Sequence, residues 1–342
     1  MTAFGSYTLG RKIGAGGMGE VFLATRVSDS AQVVIKRVLP GLVSQSGFVD
    51  RFLDEVRVLA RLQHPHVVRV FDFGEVNGQW FIAMEFVDGA PVGALDLQRT
   101  GRLGFEIASA LDAAHSLRDA AGKSTPIVHR DVSPQNILLR ASDGAAKLID
   151  FGIASLGGKG AGGGKLGYAA PEQLLEDEAS PLSDQYSLGV VLWECLAGRR
   201  AFDGEDVEVI RLVTEVGVDA LPASALSDTV MRMCSLDPRS RYASMSEVVG
   251  AFRKFASISV SPLPGPLPRG REGVGVRAAL QELSAVESAA LGCVADGMTF
   301  EEAERAIEAA GVDGFALDLL EDLISKGALV AEDRDGVRRF KR

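Results

Sequence analysis

The stretch His129-Arg130-Asp131-Val132-Ser133-Pro134-Gln135-Asn136, HRDVSPQN, decides how this chain is read. It sets an acid and an amide at the D-x4-N spacing that phosphoryl transfer uses. Asp150-Phe151-Gly152 follows fourteen residues after Asn136, and Ala170-Pro171-Glu172 begins twenty residues after Asp150. Upstream, Gly14, Gly16 and Gly19 form GxGxxG, with Val21 two places on. Several nucleotide-binding folds use such glycines, and by themselves they also suit a turn between two strands. In a dinucleotide-binding unit they open a helix; here the strand-like GEVFLAT follows, which predicts a hairpin lying over phosphates. Lys36 closes the apolar strand VVIK, and Glu55 sits in the helical RFLDEVRVLARL. Singly, each is an ordinary solvated charge; as a pair, they would hold the ammonium toward the α- and β-phosphates.

Outward from these motifs, the chain divides by pattern. LGRKIGAG, GEVFLAT and AQVVIKRV alternate or run apolar between turn signals, and Phe48 to Gln63 has apolar residues at helical spacing. Helices dominate afterwards, with Ile107 to Ala120, Ser183 to Ala197 and Met245 to Phe255 as the clearest. A small sheet lobe therefore precedes a larger helical one. Residues 256–275 carry four prolines and four glycines without a sustained period and are expected to be a linker. Helical periodicity returns over 276–342 and ends in a hairpin signal around Asp335-Gly336.

In order and spacing, the motifs from Tyr7 to Phe255 resemble the eukaryotic-like protein kinase family, in its bacterial serine/threonine branch. The resemblance implies an α+β, bilobal fold in a 1–255 domain, with a β-rich N-lobe at about 7–86 and a helical C-lobe at about 87–255. It implies ATP as cofactor with Mg²⁺, or Mn²⁺ in its place, and protein Ser/Thr hydroxyls as acceptors, the last from Pro134 and the YAAPEQ segment. Asp131 would orient or deprotonate the acceptor, and Asn136 and Asp150 would hold the metal. Lys36 and Glu55 would form the ion pair, and Arg130 would tether a phosphorylated loop. Ile13, Gly14, Ala15, Gly16, Gly17 and Gly19 would cover the phosphates. Val21, Val34 and Leu138 would clamp adenine, Met84 would be the gatekeeper, and Glu85 to Val87 the hinge. Val34 stands where most such pockets have alanine, so the roof is expected to be tighter. Leu59, Val70, His129 and Phe151 match a packed spine, which makes His129 a packing residue rather than a proton carrier. Asp184 would fix the catalytic-loop backbone, and Arg241 would pair with Glu172.

Two departures stand out. Where the family has HRDxK, this chain has Ser133; where it has G-T-x-x-Y, GKLGY puts Lys165 in the threonine's place. The expectation is an exchange, with Lys165 supplying the ammonium and Ser133 the hydroxyl; otherwise Lys165 is a solvent-facing loop lysine. Between Asp150 and Glu172 the only hydroxyls are Ser155 and Tyr168, so activity is expected without loop phosphorylation. The glycine run 157–164 is expected to be mobile until a substrate or partner orders it.

Composition narrows the rest. The chain has 342 residues and a net charge of -10, which argues against coating nucleic acid or an anionic membrane. Its three cysteines, Cys195, Cys234 and Cys293, lie far apart, and no signal peptide or eighteen-residue apolar run is visible, so a cytoplasmic setting is expected. His64, His66 and His115 have no metal-ligand spacing. In 276–342, Thr299 to Glu302 reads as a capping box, Asp313 can cap a second helix and Gly327 can end it, so three helices and a hairpin resemble a winged helix. With 14 acidic and 8 basic residues that segment nets -6, and Asp318, Glu321 and Asp322 fall on its would-be recognition helix. Protein docking or self-association is therefore expected of it over nucleic-acid binding, despite the basic Arg338, Arg339, Lys341 and Arg342. An ATP-binding scaffold without transfer is the alternative for the whole chain, and a DNA-binding regulator a remoter one.

Overall fold

The computed structural model describes residues 2–17, 19–118, 122–151, 166–175 and 179–256, and the backbone of 330–334 and 337–341. The chain falls into two compact units, Met1–Leu263 and Pro264–Arg342.

Period-two alternation builds the small lobe of the first unit. Its antiparallel sheet uses β1 (Thr2–Phe4), β2 (Tyr7–Gly16), β3 (Gly19–Arg26), β4 (Gln32–Val38), β5 (Val70–Val76) and β6 (Gln79–Glu85), in the order β1-β2-β3-β4-β6-β5. On β4, Val33 and Ile35 join Phe4, Tyr7, Leu9, Ala24, Phe81 and Ala83 in one apolar cluster. Val34 and Val38 belong to the other core, so Lys36, between them in the alternation, lies on their face. The short α1 (Pro40–Val43) leads to α2 (Phe48–Leu59), which buries Phe48, Phe52, Val56 and Leu59 along one stripe. Trp80 of β6 meets Phe52 of that stripe edge-on, with ring centroids 6.1 Å apart.

A three-stranded sheet opens the large lobe: β7 (Gly89–Pro91), β8 (Ile137–Arg140) and β9 (Ala146–Leu148). Its helices are α3 (Leu97–His115), α4 (Pro171–Leu175), α5 (Pro181–Ala197), α6 (Asp206–Arg211), α7 (Ala225–Met233) and α8 (Met245–Phe252). Helix α3 starts ten residues before the Ile107 expected from the pattern and ends at His115 rather than Ala120. Gly101 and Gly104 hid its first turns, because glycine reads as a helix breaker. They are there for close approach: a Cβ on Gly101 would lie 2.5 Å from the Phe255 ring, and one on Gly104 2.6 Å from the Phe252 ring. Helix α5 begins with Ser180 and Ser183 in a reciprocal capping box and Pro181 in the first turn, then ends at the left-handed Gly198, φ 67°. Almost all of its length is buried.

The Arg241 guanidinium is fully buried and binds Glu172 through two nitrogens, at 2.8 and 2.9 Å. It also donates to the carbonyls of Leu182, Ser235 and Leu236. Burial pushes the Glu172 carboxyl up, but the bonds from Arg241 outweigh this and hold it below its ordinary range.

In the second unit, β10 (Val330–Arg334) pairs antiparallel with β11 (Val337–Lys341), Arg334 opposite Val337, so a hairpin does form around 335–336. The expected helices of a winged-helix module, and the linker from 257 on, lie outside the described residues. Among the described residues no helix is long and apolar enough to cross a membrane.

Candidate active site

Strand register puts one set of side chains on the cleft face of the small lobe. Val21 lies opposite Lys36, and Lys36 opposite Ile82; Leu23 lies opposite Val34, and Val34 opposite Met84. Directly opposed residues share a face, so Val21, Val34, Met84 and Lys36 line one surface. Gly19 is demanded by the sheet itself, since a Cβ there would overlap the Arg37 carbonyl oxygen at 2.0 Å. At Gly16 and Gly17 a Cβ would meet no protein atom within 4 Å, so packing does not explain those glycines. They leave the backbone bare on the side where an anion would need its N–H groups.

The lower edge of the cleft is the loop from His129 to Asn136, and its anchor is Asp184 on α5. That carboxylate is fully buried and accepts the backbone N–H of His129 (2.7 Å) and Arg130 (2.8 Å). His115 Nε2 donates to it as well, at 2.8 Å. Arg130 has φ 67°, a left-handed conformation costing a side-chain-bearing residue about 1–3 kcal/mol, and the two N–H bonds hold the turn there. His129 ties this loop to the next motif: its Nε2 donates to the Ile149 carbonyl at 2.9 Å, and its Nδ1 accepts from Asp131 N at 3.3 Å. Complete burial pushes this imidazole down and keeps it neutral, and its ring centroid lies 4.6 Å from that of Phe151.

Asn136 completes the constellation. Its Nδ2 donates to the Asp131 carbonyl (2.7 Å) and to Asp131 Oδ2 (2.8 Å), while its own carbonyl accepts from Ile149 N at 2.9 Å. Because Nδ2 takes both protein contacts, Oδ1 faces away from them, on the side of Asp150. Asp150 stands just past β9 with φ 58°, a second left-handed residue, and accepts from Lys36 Nζ at 2.8 Å.

That last contact corrects the expected Lys36–Glu55 pair. Lys36 is bound to Asp150, and Glu55 makes no hydrogen bond or ion pair among the described residues. The reason is orientation: α2 turns Glu55 toward Arg130 and its own Arg51, into a cavity of about 270 Å³ shared with Val58, Leu59, Ile127 and Phe151. Burial raises the Glu55 carboxyl to about 6, with Arg130 and Arg51 pulling weakly the other way.

The hinge differs too. Glu85 N–H already donates to the Arg69 carbonyl at 2.8 Å, so it is committed within the sheet. The Glu85 carboxylate binds Lys147 Nζ at 2.8 Å, and Lys147 also reaches the Val67 carbonyl at 3.3 Å. Sequence reasoning passed over Lys147 and over the bond from His115 to Asp184. A lysine inside the apolar run AKLI, and a histidine on the buried stripe of a helix, were the available signals.

Ser133 is fully buried, and its Oγ has no hydrogen-bond partner. Leu138 is half-buried on β8, opposite Lys147, and Ile13 is exposed on β2. Lys165, Gly152, Ser155 and the glycine run 157–164 lie outside the described residues.

A lobed fold with this loop, this metal-competent pair and this lysine is a protein kinase architecture. Residues 7–250 match the protein kinase domain family, and the chain belongs to it. It is 41% identical over 223 residues, 61% of its length, to the serine/threonine-protein kinase PknE of Mycobacterium tuberculosis, covering 38% of that protein. It is 35% identical over 268 residues, 72% of its length, to PknD of the same organism, covering 39% of it. The chain thus spans about two fifths of the length of these relatives. Among solved structures, it is similar to the M. tuberculosis PknI kinase domain, with a TM-score of 0.55 at 28% identity, covering 75% of this chain and 98% of that one.

Proposed function

We propose that this chain transfers the γ-phosphoryl group of ATP to serine or threonine hydroxyls of proteins. The observation that carries the reading is the convergence of Asp131, Asn136, Asp150 and Lys36 through 2.8 Å contacts beneath the face formed by Val21, Val34 and Met84. The oxygens of Asn136 and Asp150 are hard donors that suit Mg²⁺ or Mn²⁺, and the bare backbone at Gly16 and Gly17 suits phosphate, so nucleotide and metal fit the residues present. The bound metal would supply positive charge to the phosphate oxygens.

The chain's own groups do the rest. Asp131, oriented by Asn136 Nδ2, accepts the acceptor hydroxyl's proton at Oδ1 or Oδ2 and aligns that oxygen. Lys36 exchanges Asp150 for the phosphates, and a rotation of α2 brings Glu55 to it. Val21, Val34, Leu138 and Met84 exclude water around the base, whose backbone contacts fall to Phe86 and Val87 because the Glu85 N–H is committed. Lys165 stands in for the lysine absent at Ser133, and the orphaned Ser133 Oγ is the hydroxyl half of that exchange. Lys165→Met is expected to cut turnover about 10²–10³-fold, the usual effect of removing a preorganised contact to the transferring group; unchanged turnover defeats the exchange. Activity persists after phosphatase treatment. Residues 256–275 serve as linker, and 276–342 as a module for protein docking or self-association rather than nucleic acid. Cys195 and Cys234, buried and free, support a reducing, cytoplasmic setting.

A scaffold that binds nucleotide without transfer is the second reading, favoured by the Lys36–Asp150 pair and by serine at position 133. Transfer of ³²P from ATP to a protein acceptor, in wild type and Asp131→Asn, separates the two. Wild-type transfer lost by at least about 10²-fold in the variant is expected; calorimetric ATP binding with no transfer in either supports the scaffold.

A further inference from the structure

The described residues expose eight large apolar side chains, and four of them fall in one region away from the cleft: Leu175, Val207, Ile210 and Val216. Val207 is 81% exposed, Leu175 68%, Val216 55% and Ile210 37%. Val207 and Ile210 are three apart on α6 and so share a face. After Arg211 the helix continues as a wider π-type turn, Leu212–Val216, with the Gly217 N–H reaching back to the Leu212 carbonyl at 2.8 Å. Helix α4, which ends in Leu175, packs beside that turn. Turns of this kind are uncommon and recur at functional places. A single exposed valine needs no explanation, but a cluster of aliphatic residues does.

The charge around the cluster is one-sided. Asp203, Glu205, Asp206, Glu208 and Glu215 are all exposed, and the stretch has one cation, Arg211, which is already bound to Glu208 at 2.8 and 3.0 Å. In the sequence Leu175 is followed by Glu176, Asp177 and Glu178. Acids in the first turn of α6 suit the helix dipole, which accounts for Asp206 and Glu208 but for neither Glu215 nor the aliphatic centre. A second copy of this chain is a poor occupant, since a symmetric pairing would set acidic rim against acidic rim.

We propose that the α6 face is a docking site for a basic segment of a partner protein, one that places an aliphatic side chain between Val207 and Ile210 and surrounds it with Lys or Arg. This goes beyond the transfer reaction and does not depend on it. Hydrophobic contact holds the centre, and the acidic rim steers association and selects the partner.

The test uses the full chain and a fluorescein-labelled twelve-residue peptide with four Arg and two Leu, followed by anisotropy. Control peptides replace Leu by Ser, or Arg by Glu. Wild type is expected to bind the first peptide, with affinity falling as salt is raised, and neither control. Val207→Asp and the double variant Glu205→Lys, Asp206→Lys should each weaken binding by about tenfold or more, the scale of a lost anchor. Both alter exposed side chains, and far-ultraviolet circular dichroism confirms that they fold. No binding, or binding equal in wild type and both variants, overturns the proposal. So does a concentration-dependent dimer in sedimentation that Val207→Asp abolishes, because the face would then belong to a second copy. Anisotropy needs no phosphoryl transfer, so failure here is distinct from failure of the kinase reading, which the ³²P experiment detects.

Discussion

Asp184 and Glu55 are both helix-borne carboxylates within the first unit, and they are held in opposite ways. Asp184 is fully buried and accepts two backbone N–H groups and an imidazole. Glu55 is half-buried, borders a cavity and has no bonded partner among the described residues. An acid whose hydrogen bonds are filled by the backbone of another segment fixes that segment; one left unfilled costs its own element stability and leaves that element free to turn. The large lobe is thereby a rigid base for the loop from His129 to Asn136, and α2 is the adjustable part.

The strongest challenge to this contrast is Asp184→Ala, which strands three donors in the core. It is expected to cost about 3–5 kcal/mol in urea unfolding; a loss below about 1 kcal/mol would dissolve the distinction. Arg241→Met tests whether other ions of the large lobe are held as tightly, and leaving Glu172 without its partner should cost about 3 kcal/mol by the same measurement. Gly104→Ala forces a methyl into the Phe252 ring and should lose about 1–3 kcal/mol through overpacking. The smallest change runs in the opposite direction. The folded chain holds the Glu55 proton more tightly than the unfolded chain, with the carboxyl raised from 4.5 to about 6. Between those values the folded state binds more protons, so stability falls as pH rises through the window and stays lower above it. Glu55→Gln should therefore flatten the melting temperature against pH between 4.5 and 6 and raise it at pH 8, while lowering transfer. A variant that melts lower than wild type at pH 8 contradicts the assignment.

How far the sequence could be read follows the same division. Asp131 and Asn136 meet because five residues of tight loop separate them, and β9 delivers Asp150 beside them through the Ile149–Asn136 bond; local spacing carries that information. Alternation in VVIK places Lys36 on the cleft face, again from nearest neighbours. Its partner is another matter. Choosing Asp150 over Glu55 depends on how α2 is rotated, and that depends on Phe52 packing against Trp80, a contact between distant segments. The same limit hid the first turns of α3, whose glycines are explained only by two phenylalanines about 150 residues away. Lys147 was passed over because nothing near it in the chain announces Glu85 as its partner.

The contact between Trp80 and Phe52 also makes the molecule its own reporter. The chain has two tryptophans, one on each side of the division drawn above. Trp193 is sealed inside α5 with its indole N–H on the Asp219 carbonyl at 2.8 Å, so its emission should stay constant unless the large lobe unfolds. Trp80 sits against the helix that has to turn, so its quantum yield should track that rotation. Replacing Trp193 by phenylalanine would leave one intrinsic fluorophore, able to follow the rearrangement in a stopped-flow instrument without any added label.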